Sequence, residues 1–362
     1  MTSDIRPQPG ILDIALYQGG ASHIPGREEV LKLSSNENPF GPSSAAQAAV
    51  AAAAVSMHRY PSSDHAALRA CIGKTFDLEP DQIICGAGSD EILYALCQAY
   101  AGHGDVVIYT QHGFSLYKVA ARAAGARPVV VPECDRVVDV DAVANAVGPN
   151  TRIVFITNPG NPTGTILPEA ELARLADALP ASVLLVLDGA YAEFAHGHDG
   201  GAALAGARPN VVMTRTLSKL YGLGGLRVGW AYASRDIIDV LNRIRGPFNL
   251  STVQLAGAEA ALRDHEHVEF CLRENSRLRE WLANALRRAG VSCDESHANF
   301  VLARFTSPAE AEAAEARLRD EGILVRKVAG YGFPEGLRIT VGDEPSCRRV
   351  AGIIGAFREA MA

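Results

Sequence analysis

Residues 211–230 have the sequence VVMTRTLSKLYGLGGLRVGW, and this stretch decides how the rest of the chain is interpreted. It begins with an apolar run that is typical of a buried strand. A polar segment follows and presents one lysine, Lys219, and Arg227 lies among the glycines at 222, 224, 225 and 229. The stretch therefore predicts a strand that ends in a glycine-rich loop carrying a single amine.

Lys219 suits a Schiff-base lysine that lies next to a bound phosphate. An amine adds to an aldehyde only when it is neutral, so such a lysine must be partly desolvated or lie near other positive charge. Thr216, Ser218 and Arg227 carry donors for a phosphate dianion. A surface lysine in a glycine-rich loop is the ordinary alternative, and four further stretches upstream argue against it.

Length, composition and charge exclude several classes of protein. A chain of 362 residues is long enough for one large domain or two ordinary ones. The net charge of −7 and the lack of a basic run argue against nucleic acid as a partner. No apolar run approaches the ~20 residues that span a membrane, and the polar start lacks the apolar core of a signal peptide. We therefore expect a cytoplasmic protein that does not bind membranes.

The cysteines support the same location. They are scattered without a CxxC pair, at 71, 85, 97, 134, 271, 293 and 347. An odd, scattered set predicts reduced thiols in the core, and it predicts neither a disulfide framework nor a metal site.

Segment 82–91, QIICGAGSDE, predicts a buried strand, a glycine turn and the start of a helix. Free backbone N–H groups and the helix dipole attract phosphate at such a start, and Gly88 lets the backbone come close. Ser89 and Asp90 are equally suited to capping an ordinary helix, which is the commoner arrangement. Because the Asp90 carboxylate would repel phosphate, we expect its contribution to be its backbone N–H.

Two further strand ends carry side chains suited to a flat ring. Phe114 follows the predicted strand 105–110 and could stack on such a ring, although a core position is commoner. Asn161 lies in the loop NPGNPTG, residues 158–164, whose prolines and glycines exclude helix and strand. This stiff loop would hold the Asn161 amide as a donor to a phenolate oxygen, or it is simply a rigid turn.

Asp188 follows the apolar run 183–187 directly. Burying an unpaired carboxylate is costly, so it should face a cation such as a protonated pyridine nitrogen. Tyr191, three residues further on, can reach the same ring. The alternative is that Asp188 caps a helix after the strand.

The order of the elements predicts an α/β fold. Strands alternate with helices through residue 232, which indicates a mostly parallel sheet with helices on both faces. The candidate residues follow the carboxyl ends of strands, where open α/β sheets bind ligands. The later pattern indicates an α+β unit, with a long helical stretch over 252–289 that is kinked or bent. We predict a large domain at 45–245 and a smaller one formed by 1–44 and 246–362.

Nine segments, taken in order, resemble the class I and II pyridoxal-phosphate aminotransferases of fold type I. They are LSSNENPFGPS, RYP, CGAGSDE, NPGNPTGT, LDGAYAEF, TRTLSKLYGLGGLRVGW, ANFVLARF, VRKVAGYG and LRITVG. The resemblance covers nearly the whole chain and is closest to the histidinol-phosphate aminotransferase group. It implies a large, mostly parallel sheet domain flanked by helices, a smaller α+β domain, and pyridoxal 5'-phosphate as cofactor.

The resemblance assigns a role to each residue around the cofactor. Lys219 would be the Schiff-base lysine and general acid/base, and Asp188 would pair with the pyridinium nitrogen. Tyr191 and Asn161 would bond the ring oxygen, and Phe114 would stack on the ring. The phosphate would be held by Ser89, Asp90, Ser218 and Arg227, and the predicted cofactor site also includes Gly88 and Thr216.

Other residues are assigned to the substrate and to a second subunit. Tyr60 would reach the phosphate of the neighbouring subunit's cofactor, which implies a homodimer. Arg338 would clamp the α-carboxylate of glutamate or 2-oxoglutarate by a two-pronged bond. Arg326, Tyr17 and Asn38 would line the substrate side, and no metal is expected.

The implied reaction transfers an amino group from L-histidinol phosphate to 2-oxoglutarate, giving imidazole-acetol phosphate and L-glutamate in histidine biosynthesis. An aminotransferase for phenylalanine or tyrosine and, more distantly, a phosphothreonine-type decarboxylase are the alternatives on this scaffold. A non-catalytic module would be expected to lack one of the cofactor-contacting residues, yet this chain has them all. A dehydrogenase is disfavoured because Gly222-x-Gly224 follows the lysine instead of lying at a first βα turn.

Overall fold

The computed structural model describes residues 5–16 and 19–361. The helices are α1 (Ser44–Ala54), α2 (Ala66–Phe76), α3 (Ser89–Tyr100), α4 (Leu116–Ala123), α5 (Val140–Ala146), α6 (Glu169–Ala178), α7 (Ala202–Ala207), α8 (Arg235–Ile244), α9 (Thr252–Arg263), α10 (His265–Arg288), α11 (Pro308–Asp320) and α12 (Glu344–Glu359). Short 3-10 turns lie at Ile11–Asp13, Pro80–Gln82, Ala192–Phe194 and Ala329–Tyr331.

The strands fall into one large sheet, one smaller sheet and two short pairs. They are β1 (Leu31–Lys32), β2 (Ile83–Gly86), β3 (Val106–Thr110), β4 (Arg127–Val131), β5 (Glu133–Cys134), β6 (Val137–Val138), β7 (Thr151–Thr157), β8 (Leu184–Asp188), β9 (Val211–Thr216), β10 (Gly229–Tyr232), β11 (Ser292–Cys293), β12 (Phe300–Arg304), β13 (Ile323–Leu324), β14 (Arg326–Val328) and β15 (Phe333–Thr340).

Within the described chain, the large sheet has seven strands in the order β2-β10-β9-β8-β7-β3-β4. The neighbours from β9 to β4 are parallel, whereas β10 runs antiparallel to both β2 and β9. Every residue of β3, β8 and β9 is buried, as expected for strands covered by helices on both faces. The predicted α/β architecture is confirmed, and β10 is the strand that makes the sheet mixed.

The parallel register brings the candidate residues to one edge of the sheet. Thr157 of β7 pairs with Asp188 of β8, which in turn pairs with Thr214 of β9. The loops that carry Asn161, Tyr191 and Lys219 follow these strands. Their carboxyl ends therefore deliver three candidate side chains to one place.

The second unit is built on an antiparallel sheet with the order β11-β12-β15-β14. The helices α10, α11 and α12 pack on it or on one another. The N-terminal segment reaches the same unit, because β1 pairs in parallel with β13, Leu31 against Ile323. Helix α9, although it follows the predicted boundary at 245, packs against α1 and α2 of the large unit. The domain limits stay a prediction.

The helical stretch predicted over 252–289 is confirmed, and its kink is a break between α9 and α10. Asp264 lies at the break with ψ at 71°, outside the helical range, and its carboxylate accepts from the His267 backbone N–H at 3.2 Å. Ser251 and Gln254 form a capping box at the start of α9. Each helix therefore has its own N-cap.

The remaining global predictions concern thiols, metals and membranes. All seven cysteines are free; six are buried, and Cys134 is exposed, which departs from the predicted set of core thiols. No helix in the described ranges combines the length and apolar character needed to cross a membrane. The described residues also contain no cluster of three or more His, Cys, Asp or Glu side chains suited to a metal ion.

Candidate active site

A cavity of about 200 Å³ lies at the carboxyl edge of the large sheet, between it and the smaller sheet. Most of the residues predicted to bind a ligand line this cavity. They are Ser89, Asp90, Phe114, Asn161, Asp188, Tyr191, Thr216, Ser218, Lys219, Arg227, Arg326 and Arg338. The fold therefore brings together residues that are separated by up to about 250 positions in the sequence.

Lys219 presents its amine inside this cavity, in the turn after β9. Nζ donates to the backbone oxygen of Ser35 at 3.3 Å and lies 5.9 Å from the centre of the Tyr191 ring. Burial, with a further contribution from the positive charges of Arg338 and Arg227, lowers the pKa of Lys219 to about 8. About a tenth of this amine is neutral and nucleophilic at pH 7, far more than for an ordinary lysine. Because Lys219 also lines the cavity, the surface-lysine alternative is wrong.

Asp188 is the last residue of β8, and its side chain is only 3% exposed. The Tyr117 hydroxyl donates to Oδ2 at 2.7 Å, and the Thr214 hydroxyl donates to Oδ1 at 3.2 Å. Burial raises the pKa of Asp188 to about 6. No Lys, Arg or His of the described chain lies within ion-pair distance of it. The cavity thus offers a cationic ligand a buried, oriented carboxylate, and Asp188 does not cap an α-helix.

Tyr191 and Asn161 meet at the wall of the cavity. The Tyr191 hydroxyl oxygen accepts from Nδ2 of Asn36 at 2.9 Å and from Nδ2 of Asn161 at 3.3 Å. Burial raises the pKa of Tyr191 to about 12, so the phenol stays protonated and can donate. Oδ1 of Asn161 accepts from Nη1 of Arg338 at 2.6 Å, which holds the amide of the stiff loop in one orientation.

The start of α3 forms one half of an anion site. Gly88 is the N-cap residue with φ at 81°, and no side chain caps the helix, so the capping alternative for Ser89 and Asp90 is wrong. A Cβ at Gly88 would collide with Nη2 of Arg227, which shows how closely the guanidinium approaches the helix start. The same Nη2 donates to Oδ2 of Asp90 at 3.2 Å and offsets its charge.

The turn after β9 forms the other half of the anion site. Nη1 of Arg227 donates to Oγ of Ser218 at 3.1 Å, and the Thr216 hydroxyl donates to the same oxygen at 2.9 Å. Gly229 on β10 is needed here, since a Cβ there would collide with the backbone N of Ser89. Hydroxyls, a guanidinium and helix N–H groups therefore converge as phosphate donors.

Phe114 also lines the cavity, where it follows β3. Its ring stands perpendicular to the ring of Tyr117, with centres 6.0 Å apart at an angle of 89°. Tyr117 itself stacks on Phe155 of β7 at 4.6 Å. The packing behind Phe114 fixes the plane that it presents to a bound ring.

Two predicted site residues, Asn38 and Tyr60, lie outside the cavity. Asn38 does not reach the cavity: Nδ2 donates to the backbone oxygen of Leu220 at 2.6 Å, and Oδ1 accepts from the Phe40 N–H. Its amide is therefore used to hold its own loop against the turn after Lys219. Tyr60 lies outside the cavity of its own chain, and Tyr17 falls outside the described residues.

Three residues with contacts at the site are not predicted from the sequence: Asn36 and Tyr331 line the cavity, and Tyr117 is buried behind it. Asn36 bonds Tyr191, Tyr117 bonds Asp188, and Tyr331 lines the substrate side beside Arg326. The segment SSNENP contains two asparagines, Asn36 and Asn38, and only Asn38 is among the predicted site residues. Asn36 has φ at 56°, a conformation that asparagine tolerates better than most residues.

Comparisons with known proteins agree with this geometry. Residues 28–354 match the sequence model of the family described as aminotransferase class I and II. A histidinol-phosphate aminotransferase from Ruegeria pomeroyi is 63% identical over 360 residues, covering 99% of this chain and 100% of that protein. One from Paracoccus denitrificans is 59% identical over 353 residues, covering 98% and 96%. The crystal structure of histidinol-phosphate aminotransferase from Sinorhizobium meliloti in complex with pyridoxal-5'-phosphate has a TM-score of 0.91, with 26% identity and 100% of both chains covered.

Proposed function

The chain belongs to the aminotransferase class I and II family and is a pyridoxal-phosphate-dependent transaminase; from that premise we propose that its substrates are L-histidinol phosphate and 2-oxoglutarate. The products are imidazole-acetol phosphate and L-glutamate. The observation that carries this choice of substrate is the 59–63% identity, over nearly the full length, to proteins named histidinol-phosphate aminotransferase.

The residues present fit pyridoxal phosphate. Asp188 is a buried carboxylate that faces the cavity without a cationic partner in the described chain, which suits a protonated pyridine nitrogen. The uncapped start of α3, together with Ser218 and Arg227, suits a phosphate. Between these two sites, Lys219 has the lowered pKa that an amine needs to capture an aldehyde.

The cofactor supplies, when bound, an aldehyde for amine capture and a cationic ring that withdraws electrons from the substrate's α-carbon. The protein must hold the ring cation, donate to the ring oxygen and move one proton. Asp188, kept in place by Tyr117 and Thr214, keeps the ring nitrogen protonated. Tyr191 and Asn161 donate to the ring oxygen.

Lys219 moves the proton of the substrate's α-carbon. With a pKa lowered to about 8, about a tenth of this amine is neutral at pH 7 and can accept that proton, compared with on the order of one part in 3,000 for an ordinary lysine.

The arginines on the substrate side suit anionic substrates. Arg338 is buried on β15, and Arg326 begins β14 at the cavity wall. An arginine pair matches the carboxylates of 2-oxoglutarate and the phosphate of histidinol phosphate, because guanidinium groups bond both in a two-pronged manner. One pocket is thereby able to receive both substrates in turn.

We propose further that the enzyme is a cytoplasmic homodimer. Tyr60 is 82% exposed and stacks on Phe248, which is also exposed, with ring centres 4.6 Å apart. An exposed aromatic pair suits burial against a second copy, where Tyr60 would reach the phosphate of the neighbouring cofactor. The free cysteines suit a reducing compartment.

The test compares amino donors with 2-oxoglutarate as the common acceptor. We expect kcat/KM for histidinol phosphate to exceed that for phenylalanine by at least about 100-fold, because its phosphate brings a dianion to the arginines, whereas phenylalanine brings one carboxylate and an apolar ring. A preference for phenylalanine would overturn the proposed substrate. Release of carbon dioxide without consumption of the oxo acid would indicate a decarboxylase instead.

A further inference from the structure

Asn36 uses all of its polar groups in hydrogen bonds, and its side chain is among the most deeply buried at the cavity. Its backbone N–H donates to Oγ1 of Thr340 at 3.0 Å, and its backbone oxygen accepts from Nδ2 of Asn299 at 3.0 Å. Its Oδ1 accepts from the Thr340 hydroxyl at 3.3 Å, and its Nδ2 donates to the Tyr191 hydroxyl at 2.9 Å. The residue is 1% exposed, so solvent does not compete for these bonds.

The contacts of Asn36 fix which way its amide points. The Thr340 hydroxyl proton is directed at the amide oxygen, so the amide NH₂ must face Tyr191. The Tyr191 oxygen accepts there, and its own proton is left to point elsewhere. Tyr191 lines the cavity, which is where the proton finds an acceptor once a ligand is bound.

We propose that Asn36 is a positioning residue that directs the Tyr191 hydroxyl toward the ring oxygen of the cofactor and strengthens it as a donor. The inference rests on the proposed function, because it requires bound pyridoxal phosphate. A hydroxyl that accepts one hydrogen bond donates a stronger one, since the two bonds polarise each other. Thr340 lies two residues after Arg338 on β15, so the same bonds tie Tyr191 to the strand that carries the carboxylate-binding arginine.

The effect is visible in how the cofactor-loaded protein titrates. Negative charge on the ring oxygen favours protonation of the nitrogen that Lys219 contributes. A hydrogen bond donated to that oxygen stabilises the negative charge and therefore lowers the pKa of this nitrogen. The other ionisable groups facing Tyr191 are Arg338, Asp188 and Tyr331, and all are kept unchanged in the test. Loss of the Asn36 bond should therefore raise the pH at which the visible absorbance changes.

The experiment is a double-mutant cycle on protein loaded with pyridoxal phosphate. The variants are Asn36→Gly, Tyr191→Phe and the double variant; glycine keeps the positive φ at position 36 without strain. We expect Asn36→Gly to raise the midpoint of the absorbance titration by about half to one pH unit, which corresponds to the net free energy of one neutral hydrogen bond. In the Tyr191→Phe background the same substitution should add nothing.

The outcomes distinguish a failure of the role proposed for Asn36 from a failure of the proposed function. An unchanged midpoint in Asn36→Gly, or an equal shift in both backgrounds, would overturn the positioning role. Thr340→Val is a near-isosteric second variant that frees the amide to turn, and it should shift the midpoint in the same direction by a smaller amount; no shift there would also count against the inference. If the unmodified protein takes up no pyridoxal phosphate, the proposed function fails before Asn36 is tested.

Discussion

Nη1 of Arg338 donates to Oδ1 of Asn161 over 2.6 Å, and both side chains are buried. Arg338 belongs to β15 of the smaller sheet, whereas Asn161 lies in the loop after β7 of the large sheet, so this bond joins the two units across the cavity. Nη2 is held by the backbone oxygen of Ser34 at 3.0 Å. The guanidinium is therefore oriented before any carboxylate arrives, which reduces the entropy cost of binding.

Replacing Arg338 by lysine should weaken binding of the oxo acid more than it slows turnover. Lysine keeps the charge but cannot form two parallel bonds, and the loss of one charge-assisted bond costs about 1.5–3 kcal/mol. We expect the KM for 2-oxoglutarate to rise about 10- to 100-fold, measured by steady-state kinetics at saturating amino donor.

Arg304→Lys is the matched control for this prediction. Arg304 lies on the adjacent strand β12, but its Nη2 donates to Asp294 at 3.1 Å and it does not line the cavity. Equal effects of the two substitutions on KM would show that Arg338 acts on the fold and not on the carboxylate.

Asp188→Asn should stabilise the protein when no cofactor is bound. Burial raises the pKa of Asp188 from 3.8 to about 6, so the folded state binds more protons than the unfolded state between these values. Stability therefore falls as the pH rises through that window, and the loss is complete above it. At about 1.4 kcal/mol per pH unit, the free energy of unfolding at neutral pH should rise by on the order of 2–3 kcal/mol. Urea unfolding at neutral pH and below pH 4 checks this, because the gain should vanish in acid.

The same substitution should strongly reduce activity. An amide has the shape of the carboxylate but cannot pair with a pyridinium nitrogen, and losing one partner of a buried ion pair costs about 3–5 kcal/mol. We expect kcat to fall by roughly 150- to 5,000-fold with the cofactor still bound. Asp141→Asn, at an exposed carboxylate on α5, should leave kcat unchanged. Near-native kcat in Asp188→Asn would contradict the role assigned to this residue.

The reactivity of Lys219 should depend on pH in a way that exposes its lowered pKa. The amine is neutral above a pKa of about 8, against 10.5 for an ordinary lysine. The rate of pyridoxal phosphate uptake by the cofactor-free protein should therefore rise up to about tenfold per pH unit below pH 8 and then level off. A rate that continues to rise through about pH 10 would show an unperturbed amine.

Chemical labelling locates the reacting amine independently of the rate. Borohydride should fix the cofactor on the peptide that contains Lys219, and Lys219→Ala should take up no label. Lys74→Ala is the control, since Lys74 is an exposed lysine on α2. Label on any other lysine would contradict the assignment.

The strand-end residues could be predicted from the sequence because their signal is local. Asp188 and Lys219 each follow an apolar strand, and neighbouring parallel strands end at one edge of a sheet, so placing each residue at a strand end also places it beside the others. The stiffness of the loop with Asn161 could be predicted for the same reason, from its prolines and glycines.

Partners from distant parts of the chain could not be predicted in this way. Asn36 and Asn38 lie two residues apart, and the choice between them depends on a positive φ at Asn36 and on its bonds to Thr340, 304 positions away. The direction of β10 is likewise set by the neighbours it pairs with, and no feature of a four-residue apolar strand encodes it. The kink in the stretch 252–289, by contrast, has a local signal, because aspartate is a favoured N-cap residue and Asp264 lies at the break.

Tyr60 provides the test of whether each site needs two subunits. It is exposed in the single chain and does not line the cavity beside Lys219, so any contact with a cofactor must be made across an interface. Tyr60→Ala and Lys219→Ala should each be weakly active or inactive alone. In a mixed dimer, the subunit with Tyr60→Ala keeps its own lysine and receives Tyr60 from its partner, so one of the two sites is intact.

Unfolding and refolding the two variants together should therefore restore activity. Random pairing at equal amounts gives mixed dimers in about half of the population, each with one intact site, so about a quarter of the unmodified activity should return. Variants refolded separately and then mixed without exchange are the control, and they should stay at their own low activities. If each site were built from one chain alone, every mixed dimer would carry one site without Lys219 and one without Tyr60, and no activity would be gained. That outcome would show that Tyr60 does not complete the site of the partner subunit.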